Sequence, residues 1–113
     1  MVYLKSPREI EFIRQSSRIV ADVLKLIGAQ IHPGITTLEL DKVAEDYIRA
    51  NGGVPAFKGY GDNKSNLFPA TLCVSIDAEV VHGIPSRRVI QEGQIVSIDV
   101  GVRKNGYYSD GAW

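Results

Sequence analysis

The stretch Ile95-Val96-Ser97-Ile98-Asp99-Val100-Gly101-Val102, followed by Arg103-Lys104-Asn105-Gly106 and Tyr107-Tyr108-Ser109-Asp110, decides the fold. Its first part alternates with period two. Val96, Ile98, Val100 and Val102 face one side, and Ser97, Asp99 and Gly101 the other. Asn105-Gly106 is the strongest short-range hairpin signal in the chain, because a type I′ turn wants positive φ at both central positions. A two-residue loop there pairs Lys104 with Tyr107, Val102 with Ser109 and Gly101 with Asp110. Asp99 and Asp110 then project from the same face as diagonal cross-strand neighbours, roughly 7–8 Å apart at the backbone. A four-residue loop keeps that register, whereas a three-residue loop puts them on opposite faces.

Two carboxylates on one strand face repel each other and raise one pKa unless a cation lies between them. Carboxylate oxygens suit hard or borderline divalent ions, and a bridging pair suits two metals ~3.5–4 Å apart. The same residues also read as two exposed aspartates on the solvent face of an edge hairpin. Gly101 opposite Asp110, with Gly111 and Ala112 after it, leaves room above the face and favours the metal reading.

Upstream the pattern is helical. Ser6-Pro7-Arg8-Glu9 carries a cap, a first-turn proline and a capping-box glutamate. Ile10, Ile13, Ser17, Val20, Leu24 and Ile27 follow at helical spacing, until Gly28 and His32-Pro33-Gly34. A second box, Thr36-Thr37-Leu38-Glu39, opens a helix carrying Leu40, Val43, Ala44, Tyr47 and Ile48, which Asn51-Gly52-Gly53 stops. These two helices are expected to cover a sheet. Phe57 to Pro69 reads as a long surface loop, Thr71 to Ser75 as a strand, and Glu92-Gly93 as a turn.

The bulk numbers are bland. A chain of 113 residues, 44% hydrophobic and 23% charged, is an ordinary globular domain of the α+β class. Thirteen basic and thirteen acidic residues cancel, so no broad field points to nucleic acid or anionic lipid. No apolar run approaches the ~20 residues of a membrane span, and residues 1–8 lack a signal-peptide core. A lone cysteine, Cys73, forms no internal disulfide and suits the cytoplasm.

Three further features bear on chemistry. His82 sits between Val80-Val81 and the stiff Gly83-Ile84-Pro85 turn, where an imidazole can exchange a hydrogen bond with a reacting amide or serve only structure. Cys73 falls at an apolar strand position and reads first as a small buried hydrophobe. Tyr60, Phe68, Tyr107 and Tyr108 can line an apolar pocket or belong to the core.

Taken together, Pro55-Ala56-Phe57-Lys58-Gly59-Tyr60, Cys73-Val74-Ser75-Ile76, Val80-Val81-His82-Gly83-Ile84-Pro85 and Ser97-Ile98-Asp99-Val100-Gly101 with Asp110 resemble the type I methionine aminopeptidases along the whole chain. The resemblance implies the amino-terminal half of the pita-bread fold, an antiparallel sheet covered by two helices. It also implies removal of initiator methionine from nascent polypeptides with two divalent ions (cobalt, manganese, iron or zinc). Asp99 then corresponds to a chelating ligand, Asp110 to the bridging ligand, and His82 to the histidine that contacts the scissile amide. Phe57, Tyr60, Phe68 and Cys73 fall in the methionine pocket. Phe57 stands where cysteine occurs in other members and Phe68 where tyrosine is familiar. The Gly61-to-Leu67 stretch is longer than in many bacterial members, and Asp77 replaces a common asparagine.

The family takes its other ligands, a histidine and two glutamates, from a second half. Residues 1–113 are therefore expected to be the amino-terminal half without its carboxy-terminal partner. Such a piece would bind metal weakly or not at all, be inactive alone, and self-associate through its exposed face. An alternative is a non-catalytic peptide- or protein-binding half-domain of the same fold. A proline-specific aminopeptidase is the second rival, disfavoured because those carry a large domain before the first helix.

Overall fold

A computed structural model describes residues 6–59, 70–77 and 83–112. Helix α1 spans Pro7–Gln30 and starts as its capping box dictates: the Glu9 N–H donates to Ser6 Oγ (3.1 Å) and the Ser6 N–H to Glu9 Oε1 (3.2 Å). Gly28 does not end the helix. It is carried inside, and the chain leaves at Ile31 before the His32-Pro33-Gly34 turn. Helix α2, Thr37–Ala50, is capped by Thr36, whose Oγ1 accepts from the Glu39 N–H (3.1 Å). It stops at Asn51-Gly52 with Gly52 at φ 77°.

The expected apolar stripe on α1 is shifted. The buried line is Ser16, Ile19, Val20, Val23 and Ile27, while Ile10 is 45% exposed and Ser17 is exposed. At the hairpin the helix face is polar and not apolar. Ser16 Oγ donates to the Tyr107 carbonyl (2.8 Å), and the hydroxyls of Ser17 and Ser109 lie 3.0 Å apart.

Among the described residues four strands form one antiparallel sheet: β1 Val54–Pro55, β2 Leu72–Ile76, β3 Val96–Lys104 and β4 Tyr107–Ala112. Val102 and Arg103 pair with both β1 and β4, and Asp99 and Val100 with both β2 and β4. Strands β1 and β2 therefore lie end to end along one edge of β3, with β4 along the other. The β3–β4 register is the expected one, Lys104↔Tyr107 and Gly101↔Asp110, around a two-residue loop with Asn105 at φ 55° and Gly106 at φ 83°.

The inner face of the sheet carries Leu72, Val74, Ile98, Val100 and Val102. It packs under both helices against Val23, Ile27, Leu40, Ala44 and Ile48, all at most 3% exposed. Gly111 belongs to this face, since it pairs with Val100. A Cβ there would lie 2.8 Å from Val20 Cγ1, so its missing side chain makes room for α1 and not for anything above the aspartates.

One tie between helix and sheet is polar. Asp41, buried in α2, accepts from the N–H groups of Thr71 (2.9 Å) and Leu72 (2.7 Å) at the head of β2. Burial raises its pKa, and these two donors only partly offset that. One turn later Glu45 takes Lys58 (2.7 Å), Arg49 (3.0 Å) and the Thr71 hydroxyl (3.2 Å). The Lys58 contact above all holds its carboxyl at about 2. The pair fixes β2 and the Phe57-Lys58 turn to the same helix. Among the described residues no helix is long and apolar enough to cross a membrane.

Candidate metal centre

The outer face of the sheet is built by the residues that alternate with this core. Cross-strand partners share a face, so Cys73, Asp99 and Ala112 form one row across β2, β3 and β4, followed by Gly101 with Asp110, and then Arg103 with Tyr108. Asp99 and Asp110 are thus diagonal neighbours on one face, as the hairpin register requires. Both are exposed. Neither has a hydrogen-bond or ion-pair partner among the described residues.

Between them lies Gly101, which is buried because the turn after β1 folds over it. The Ala56 N–H donates to the Gly101 carbonyl (2.9 Å), and a Cβ on Gly101 would stand 2.9 Å from Phe57 Cε1 and 3.1 Å from Ala56 Cβ. The Phe57 ring takes the space that a side chain at 101 would fill. Ala56, Phe57, Gly101, Tyr108, Ser109 and Asp110 line a cleft of about 350 Å³ opening on this face.

Cys73 is 7% exposed and faces Asp99 directly. Burial first, then the charges of Asp99 and Asp41, push its thiol up to about 11. At neutral pH it is a neutral wall and not a nucleophile. Tyr107 instead faces α1, its ring 5.6 Å from that of Phe12, so of the hairpin tyrosines only Tyr108 lines the cleft. Tyr60, Phe68 and His82 lie outside the described residues.

The donor set fits a divalent cation as far as it goes. Two unpaired carboxylates on a rigid strand pair are the oxygen donors such ions prefer. Among the described residues they are joined by no third histidine, cysteine or carboxylate in one group. Sequence reasoning missed Ala56 as a cleft residue and Val54–Pro55 as a strand. Two residues are too short for a periodic signal. It also missed Asp41 and Glu45, which read as ordinary polar positions of a helix.

The chain is 46% identical over 113 residues to methionine aminopeptidase 1 of Bacillus subtilis, covering all of this chain and 44% of that protein. The solved methionine aminopeptidase of Thermotoga maritima superposes with a TM-score of 0.89 at 37% identity, covering 99% of this chain and 43% of the other. The prolidase of Pyrococcus furiosus superposes with a TM-score of 0.78 at 25% identity, over 96% and 31%. The chain thus spans less than half the length of these relatives, and its α+β fold is that of a pita-bread half. The model of metallopeptidase family M24 matches residues 11–113, and the chain belongs to that family.

Proposed function

We propose that residues 1–113 act as the amino-terminal half of a methionine aminopeptidase, supplying two ligands and one pocket wall of a divalent-metal site that a second half completes. The observation that carries this is the convergence of Asp99 and Asp110 on the outer face, across Gly101 and beside the Phe57 cleft. Asp99 and Asp110 would hold the metal, as chelating and bridging ligands respectively. The chemistry that bound divalent metal (cobalt, manganese, iron or zinc) supplies here is activation of water and polarisation of the first peptide carbonyl.

This chain's own residues do the rest. Asp99 and Asp110 fix the place beside which a neutral amino terminus would be held. Phe57 and Cys73 offer apolar surface on the outer face for an unbranched side chain, and Tyr60 and Phe68 are assigned to the same pocket as part of this proposal. His82 contacts the amide that is cut. The substrate is a polypeptide with amino-terminal methionine, and the setting is the cytoplasm.

The test is hydrolysis of Met-Ala-Ser with added Mn²⁺ or Co²⁺. One sample is this chain alone, and the other is this chain joined to the part of the Bacillus subtilis relative that it does not match. Turnover is expected only from the joined protein. Turnover by the 113 residues alone overturns the divided site, and a folded but silent joined protein overturns the aminopeptidase reading.

A second reading has one observation in its favour. Since the described residues bring no third donor to the aspartates, the half can also serve as a non-catalytic peptide- or protein-binding module. The same two samples separate the readings, because peptide binding without turnover in the joined protein is its signature.

A further inference from the structure

One carboxylate of α2 is tied to both chain segments that carry the proposed pocket walls. Glu45 Oε1 accepts from Lys58 Nζ (2.7 Å) and from the Thr71 hydroxyl (3.2 Å), while Arg49 Nε donates to its other oxygen (3.0 Å). Lys58 follows Phe57 directly, and Thr71 stands two residues before Cys73. Lys58 first, then Arg49 and Thr71, hold the Glu45 carboxyl at about 2 against burial, so the tie is intact at neutral pH. The near side of Phe57 is fixed separately, by the Ala56 N–H on the Gly101 carbonyl (2.9 Å). Beyond the ring Lys58 and Gly59 are exposed, with Gly59 at φ 82°, and the ion pair draws this far side of the turn onto α2.

The register sets the scale of the gap between these walls. The Phe57 ring lies over the Gly101 row of the outer face, and Cys73 belongs to the Asp99 row. The two rows are two residues apart along β3, ~7 Å at ~3.4 Å per residue. Cys73 is held inside the sheet by its pairing with β3, so the Phe57 side is the wall that can move, and Lys58 is its restraint. A narrow gap admits an unbranched side chain and is contested by a γ-branch. One methylene misfitted in an apolar pocket is worth about tenfold or more in selectivity, so small displacements of the ring matter.

We infer that Glu45, acting through Lys58 and Thr71, sets the gap between the Phe57 and Cys73 walls and thereby selects an unbranched over a γ-branched first side chain. It is a positioning residue, which stands on α2 behind the turn and acts through the segments it ties. The inference rests on the proposed aminopeptidase pocket and adds to it the element that fixes its width.

The test measures kcat/KM for Met-Ala-Ser and Leu-Ala-Ser with Mn²⁺ in the joined protein described above. Glu45→Gln and Lys58→Met each break the ion pair, and each is expected to lower the Met-to-Leu ratio about threefold to tenfold, part of the selectivity that one methylene carries. The double variant should lose no more than the single ones, since both remove the same contact. Lys58→Arg keeps the ion pair and should keep the ratio. On the 113-residue chain, nuclear Overhauser contacts between the Phe57 ring and the Gly101 α protons should weaken in Lys58→Met and persist in Lys58→Arg. Lys58 is exposed, so these variants probe the tie without a buried substitution. An unmoved ratio, a fall in both substrates by one common factor, or unchanged Phe57 contacts in Lys58→Met overturns the inference and leaves the aminopeptidase reading standing. A folded wild-type joined protein without turnover overturns that reading, and the inference with it.

Discussion

The two faces of β3 are one residue apart in sequence and opposite in purpose. Ile98, Val100 and Val102 point into a core sealed by both helices, while Asp99, Gly101 and Arg103 belong to the outer face with its cleft. On the inner face, every position is judged by volume. On the outer face, positions are judged by what they leave open. The hairpin turn couples the two, since its length alone decides which residues of β4 join which face.

The largest expected effect that sharpens this contrast lies inside. Ile98, 1% exposed, is the inner neighbour of Asp99. Ile98→Ala should cost about 2–5 kcal/mol in urea unfolding. Asp99→Asn, which removes a charge with no ion-pair partner among the described residues, should change the same unfolding free energy by less than about 0.5 kcal/mol. Comparable losses from both would mean that the outer face is as structural as the inner one.

The two glycines within the hairpin strands, Gly101 and Gly111, make a smaller version of the same contrast. At Gly111 an added Cβ meets Val20 and Leu24 of α1, and at Gly101 it meets the Phe57 ring and Ala56. Gly111→Ala should destabilise the fold by about 1–3 kcal/mol, since overpacking under a helix has nowhere to relax. Gly101→Ala should push the Phe57 ring outward. Its stability cost should be smaller, with the amide shifts confined to the cleft. A larger loss at Gly101 than at Gly111 would break the distinction between the faces.

Legibility in the sequence followed the range of the interactions. The caps of α1 and α2 and the Asn105-Gly106 turn act over four residues or fewer, and all three are present where the sequence put them. From the turn, the same-face placement of Asp99 and Asp110 followed without any knowledge of the rest of the chain. What escaped depended on elements distant in sequence. In sequence Gly111 reads as space above the site, yet it lies on the inner face, where α1 packs against it. Helical spacing draws the buried stripe of α1 through Ile10 and Ser17, whereas the helix buries Ser16 and Ile19 instead, with Ser16 bonded to β4. The direct opposition of Cys73 and Asp99 needed the β2–β3 register, which no turn specifies. The anchoring of β2 and the Phe57 turn by Asp41 and Glu45 was hidden because a carboxylate's partners 13 to 31 residues away leave no local pattern.

The central claim is that Asp99 and Asp110 together attract a divalent ion. Amide NMR with substoichiometric Mn²⁺ tests it most directly, because paramagnetic broadening reports proximity even when two ligands bind loosely. The expected result is broadening first at Cys73, Asp99 to Gly101 and Asp110 to Ala112, abolished by Asp99→Asn. Broadening spread evenly over exposed acids such as Glu11, Asp46 and Glu92, unchanged by Asp99→Asn, would contradict the account.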